Sequence, residues 1–166
     1  MKAETINESA EGKTAAGKLS IKKNRVTMKG EKSMKQDLKK LRKEMEKVQD
    51  SKRFEHTLGV EFTAAALAMR YGADIRSAQL AGLLHDCAKC FPTDEKLRLC
   101  EEGHVELTEI EKRNPSLIHA KLGAYIAKTE YGVDDEEILD SIRTHTTGAP
   151  DMTMLQKIIY TADLIE

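Results

Sequence analysis

The sequence predicts an all-α domain of about seven helices behind a polar N-terminal tail, and three observations carry that expectation. From Met34 onward, apolar residues recur at spacings of three and four, the period of one helix face. Helix-starting Asp and Pro residues and helix-stopping Gly residues separate these runs. No segment of useful length alternates with the period of two that a strand requires.

In chain order, residues 1–33 have no aromatic residue and no sustained apolar period, so they cannot bury enough surface to offset their ordering entropy. A disordered basic tail is expected there. Gly12 to Lys18 fits the first seven positions of a phosphate-binding loop, but Leu19 stands where a hydroxyl is needed and no apolar strand precedes it. "MKQDLKKLRKEMEKV" then places Met34, Leu38, Leu41, Met45 and Val48 on one face. "RFEHTLGVEFTAAALAMRYG" follows and stops at Gly72; its two apolar flanks predict a central helix. "DIRSAQLAGLLHDCAK" begins at a cap, Asp74, and is read as one helix through Lys89. "PTDEKLRLCEEG" starts at Pro92, and "HVELTEIEKRN" reads as irregular. Three more helices are expected in "PSLIHAKLGAYIAKTEYG", "DDEEILDSIRTHTTG" and "MTMLQKIIYTADLIE". The domain is assigned to residues 34–166, with its patterned part at about 51–166.

The overall net charge of -1 excludes a generally basic, nucleic-acid-binding composition. Eight of the 27 basic residues lie in the first 33 positions, leaving the rest of the chain acidic on balance. Three cysteines, an odd number, suit a reducing cytoplasmic setting, and no apolar run reaches the ~18 residues of a membrane span. Cys87-Ala-Lys-Cys90 resembles a zinc or redox pair. A structural zinc site would need a second ligand pair, and a dithiol site a βαβ setting; neither is visible.

The informative residues are polar groups on apolar faces. His56 shares a face with Val60, Thr63 and Leu67; His85 follows Ala78, Ala81 and Gly82. His119 stacks with Leu122, Gly123 and Ile126, and His145 follows Ile138 and Ile142. Asp163 continues the stripe of Leu155, Ile159 and Ala162, and Asp86 sits beside His85 in equally apolar company. Only His104 reads as a surface histidine. A single such histidine is usually a satisfied core residue, but six polar groups on five helices would each need a separate partner. One shared cation satisfies all of them, because a buried carboxylate without a partner is costly. Nitrogen and oxygen ligands without thiolate suit iron, manganese or another octahedral ion.

His56, His85-Asp86 and Asp163, with His119 and His145 between, resemble the binuclear pattern of HD-domain phosphohydrolases. The segments "RFEHTLGV", "AGLLHDCAK", "LIHAKLGAY", "IRTHTTG" and "KIIYTADLIE" are similar, in order and spacing, to the YqeK-like family of symmetrical dinucleoside tetraphosphatases. That resemblance implies metal-dependent cleavage of diadenosine tetraphosphate into two ADP. It implies iron, with manganese or cobalt able to substitute, held by His56, His85, Asp86 and Asp163. It places Arg53, Lys89, His119, His145 and Thr146 around the substrate phosphates, and leaves open whether His119 and His145 hold a second metal. Asp86, Lys89 and Arg53 are the residues it makes catalytic. The implied partner is a small dinucleoside polyphosphate, with no membrane and no nucleic acid; a homodimer stays open. The family pattern continues past Glu166 with a Pro-Asn-Arg stretch and a final helix, so an arginine and some packing over the site are expected to be missing. Two other readings use the same residues: an HD-type nucleotidase acting on another nucleotide, and a nucleotide-binding domain without turnover. A third makes the basic tail a nucleic-acid-binding arm.

Overall fold

The computed structural model describes residues 37–166. The expected tail, its phosphate-loop-like motif and residues 34–36 lie outside the described residues. Within them there are eight α-helices and no strand: α1 Leu38–Val48, α2 Ser51–Tyr71, α3 Ile75–Leu84, α4 Thr93–Glu102, α5 Glu109–Arg113, α6 Ile118–Thr129, α7 Glu136–Thr144 and α8 Met154–Ile165. A 3-10 turn, Pro115–Leu117, leads into α6.

Side-chain caps start most of these helices. Asp37, Asp50, Asp74 and Asp135 accept from the exposed first-turn N–H groups of α1, α2, α3 and α7. Thr108 with Glu111, and Thr153 with Gln156, form capping boxes at α5 and α8. Gly72, at φ +74, ends α2 in the left-handed conformation that costs glycine nothing.

The long α2 lies against α3 and α8, and α6, α7 and α8 pack in succession beside them. Val60, Ala64, Leu83, Leu84, Leu122, Ile142 and Ile159 are among the residues closing the shared core. At Gly82, α3 comes so close to α2 that a Cβ would stand 3.0 Å from Glu61 Cα and 3.1 Å from the Val60 carbonyl oxygen. Helix α1 packs over α3 and is tied to α2 by Arg42, whose Nε and Nη2 donate to both oxygens of the fully buried Glu61 carboxylate at 2.8 and 2.6 Å.

Four expectations need correction. First, α3 stops at Leu84, and residues 85–90 form turns rather than the rest of a helix. His85 Nδ1 donates to the Gly82 carbonyl at 2.6 Å, and this imidazole bond takes up an acceptor from the helix's last turn. Second, the stretch after α4 is not wholly irregular, since it contains α5. Third, the second flank of α2 is not enclosed: Phe62 and Met69 are 55% and 66% exposed. Helices α3 and α8 cover one side only, and the Arg42 guanidinium lies over the Phe62 ring at 5.4 Å. Fourth, His56 and Asp163, expected among the buried polar groups, are half-buried. Among the described residues no helix is long and apolar enough to cross a membrane.

Candidate functional site

Five helices converge on one point. α2 carries His56, the end of α3 delivers His85 and Asp86, α6 carries His119, the end of α7 delivers His145, and α8 carries Asp163. Three imidazoles are aimed by the same device. His85, His119 and His145 each bond through Nδ1 to the carbonyl three residues earlier, on Gly82, Ser116 and Ile142. A carbonyl only accepts, so each Nδ1 donates and each Nε2 points inward, where it offers a ligand lone pair once the ring is neutral.

Those lone pairs meet one another and the carboxylates. His119 Nε2 lies 3.1 Å from His145 Nε2. Asp86 Oδ1 is 3.3 Å from the first and 3.5 Å from the second. On the other side, His85 Nε2 is 3.6 Å from Asp86 Oδ2 and 3.4 Å from Asp163 Oδ1, and the latter oxygen is 3.0 Å from His56 Nε2. Lone pairs at these separations repel unless something positive lies among them.

The donors fit a metal ion. His85 Nε2 and Asp86 Oδ1 are fully buried and have no hydrogen-bond partner, a costly arrangement for polar atoms unless a ligand completes it. Two ligand triads lie within metal-binding spread: His56, His85 and Asp163, and His85, Asp86 and His145. His119, close to both Asp86 and His145, extends the second. Hydrogen bonds of the kind made by the three Nδ1 atoms orient metal-binding histidines.

The electrostatics keep both carboxylates ionised. Burial alone would raise the Asp86 pKa, but His119, His145 and His85 outweigh it and hold the carboxyl far below the usual range. Burial likewise opposes ionisation of Asp163, and His85 brings it down to about 2. For His119 burial dominates and lowers the pKa, so the ring stays neutral to lower pH than a free imidazole.

The other expected residues gather here too. Arg53 Nη1 donates to Asp86 Oδ2 at 2.8 Å. Lys89 reaches His119 Nε2 at 3.2 Å, from a turn and not from the expected helix. Thr146 Oγ lies 3.1 and 3.0 Å from Nε2 of His119 and His145. His104 is exposed at φ 52, away from the cluster. The cysteines do not join the site: buried Cys87 donates to the Gly123 carbonyl, while exposed Cys90 contacts Asp50. Burial also pushes the Cys87 thiol far up, which disfavours thiolate chemistry.

Sequence reasoning missed Gln49. This buried residue just past α1 donates from Nε2 to the Asp86 carbonyl at 3.4 Å. No motif announces it, because the contact spans 37 positions.

Residues 53–166 match the family described as the HD domain. The chain belongs to the HD-domain family. As an HD domain it is 46% identical over 114 residues to the symmetrical bis(5'-nucleosyl)-tetraphosphatase of Bacillus subtilis, covering 69% of this chain and 61% of that protein. It is 36% identical over 115 residues to the protein of the same name in Staphylococcus aureus, covering 69% and 59%. The chain thus spans about three fifths of the length of these curated relatives. Among solved structures, it resembles a predicted HD superfamily hydrolase involved in NAD metabolism from Clostridium acetobutylicum. The TM-score is 0.75 at 42% identity, over 78% of this chain and 69% of the other.

Proposed function

We propose that this HD domain is a metal-dependent phosphoanhydride hydrolase that cuts diadenosine tetraphosphate symmetrically into two ADP. The observation that carries metal dependence is the pair of orphaned ligand atoms, His85 Nε2 and Asp86 Oδ1, among inward lone pairs. The relatives' names supply the substrate class.

In this reading His56, His85, Asp86 and Asp163 would hold a metal ion, and His119 and His145, beside Asp86, would hold a second. Iron is the proposed occupant, with manganese or cobalt as substitutes, because the donors are all nitrogen and oxygen. When bound, such ions act as Lewis acids and lower the pKa of water towards neutrality.

The chain's own groups bind and orient. Arg53 is held by Asp86 through one nitrogen and keeps the rest of its fork for phosphate oxygens. Lys89 and Thr146 place an ammonium and a hydroxyl beside the same cluster. The reaction adds the elements of water across the central P–O–P link: its oxygen bonds to one phosphorus and the bridging oxygen leaves with the other ADP. ADP is a stable leaving group, so no separate general acid is assigned.

The test is product analysis. Protein purified without oxygen is supplied with iron, manganese or cobalt and incubated with diadenosine tetraphosphate. ADP as the sole nucleotide product is expected; AMP plus ATP would refute symmetrical cleavage. No turnover with any of the three ions would refute the hydrolase reading.

A further inference from the structure

Helix α1 precedes residues 53–166, the part matched to the HD family, yet the residue that closes it reaches the turn carrying Asp86. Gln49 is 8% exposed and donates from Nε2 to the main-chain carbonyl of Asp86 at 3.4 Å. The Lys89 N–H donates to the same oxygen at 3.0 Å, so both lone pairs of this carbonyl are in use. A carbonyl has no proton to give, so the amide nitrogen of Gln49 faces it and the amide oxygen turns away. Gln49 Oε1 is left buried, with no hydrogen-bond partner among the described residues. An orphaned acceptor costs stability, and an apolar side chain of similar shape would avoid that cost. Stability of the fold therefore does not account for this amide. Its base is firm: the Gln49 N–H is bonded to the Met45 carbonyl at 3.0 Å, and the Arg42–Glu61 pair anchors α1 to α2.

We infer that Gln49 is a positioning residue for the metal centre: by holding the Asp86 carbonyl it fixes the turn that aims the Asp86 carboxylate, and so makes α1 a working part of the site. The inference rests on the metal-binding reading above. Asp86 is the ligand most in need of control. Its Oδ1 lies 3.3 and 3.5 Å from Nε2 of His119 and His145, while Oδ2 takes Arg53 at 2.8 Å. Residues 85–90 form turns, without the continuous bonding of a helix, so the orientation of the Asp86 peptide depends in part on a contact from outside the turn. Removing the donor lets that peptide rotate and spoils the ligand geometry, while the hydrophobic core stays as it is.

The experiment compares wild type with Gln49→Met, which keeps the length and removes the donor, and with Leu38→Ala, which loosens α1 at its far, buried end. In the metal-free protein, amide hydrogen exchange at Lys89 should quicken about fivefold in Gln49→Met, as expected for loss of one neutral hydrogen bond. Its thermal midpoint should stay equal to or above that of wild type, because the orphaned oxygen is gone. Calorimetry should show cobalt bound about tenfold more weakly by Gln49→Met, and its visible spectrum at cobalt saturation should differ from that of wild type. Leu38→Ala should lower the midpoint but keep the wild-type cobalt affinity and spectrum. Wild-type exchange at Lys89 in Gln49→Met, or a saturated cobalt spectrum identical to wild type, would overturn the role. Equal changes of affinity and spectrum in Leu38→Ala would overturn it too, because Gln49 would then act only through the packing of α1. If wild type bound no cobalt, the proposed metal centre would fall instead, while exchange at Lys89 would still decide whether Gln49 holds the turn.

Discussion

Replacing Gly82 by alanine tests how packing sets the site. Alanine in a helix interior is favoured over glycine by about 1 kcal/mol. Here its Cβ would meet Glu61 Cα at 3.0 Å, the Val60 oxygen at 3.1 Å and Glu61 N at 3.2 Å. All three are backbone atoms of α2 and cannot yield singly, so the helices separate by a few tenths of an ångström. Overpacking of this kind costs about 1–3 kcal/mol, and the balance is a net loss of about 0–2 kcal/mol. The same shift moves the Gly82 carbonyl that holds His85 Nδ1 at 2.6 Å. Manganese affinity should therefore fall about tenfold, the lower end for loss of a ligand-orienting contact. Urea titration of the chelated protein reads the first effect and calorimetry the second. Gly72→Ala is the control: it has nothing within 4 Å but a φ of +74, so it should lose about 1 kcal/mol with metal affinity unchanged. A Gly82→Ala protein that gains about 1 kcal/mol and binds manganese as wild type would refute the link between helix contact and site.

Other expectations concern the cluster itself. Arg53→Ala should lower kcat/KM about 10- to 100-fold, measured in steady state, since it removes a partner of Asp86 and, under the proposed function, a donor to phosphate; a change under about twofold would remove Arg53 from the site. Metal binding needs free Nε2 lone pairs, and the lowered His119 pKa keeps that ring neutral below the usual imidazole value of ~6.5. At His85 burial is outweighed by Asp163 and Asp86, which raise its pKa above that value, so manganese affinity should already decline as the pH falls from 8 towards about 6.5 and drop further below it; calorimetry showing tighter binding on acidification would contradict this. The double variant Cys87→Ala, Cys90→Ala should keep its metal content and turn over within about twofold of wild type, because neither sulfur faces the cluster. Loss of metal in that variant would restore the C-x-x-C reading.

Much of this arrangement was legible in the sequence. Leu38, Leu41 and Met45 are buried as their spacing predicts, and Asp74 caps α3. His85, His119 and His145 stood out because each breaks an apolar face, and all three are buried at one centre. The turn at residues 85–90 was hidden, because Leu84, Cys87 and Ala88 continue the apolar pattern through it. Helix α5 is too short for a periodicity signal, although Thr108 with Glu111 had the form of a capping box. The exposure of Phe62 and Met69 was not readable, since an apolar residue does not reveal whether a neighbour covers it. Gln49 was missed for a related reason: its importance arises from the tertiary neighbour it meets, the Asp86 carbonyl.

The central claim is that one set of His and Asp side chains forms a metal centre that depends on Asp86. Elemental analysis of anaerobically purified wild type and Asp86→Asn, after identical iron loading and desalting, tests it most directly. The account predicts about two equivalents of iron per chain in wild type and loss of most of that metal in the variant, with the fold retained by circular dichroism. Equal metal in the two proteins would contradict it.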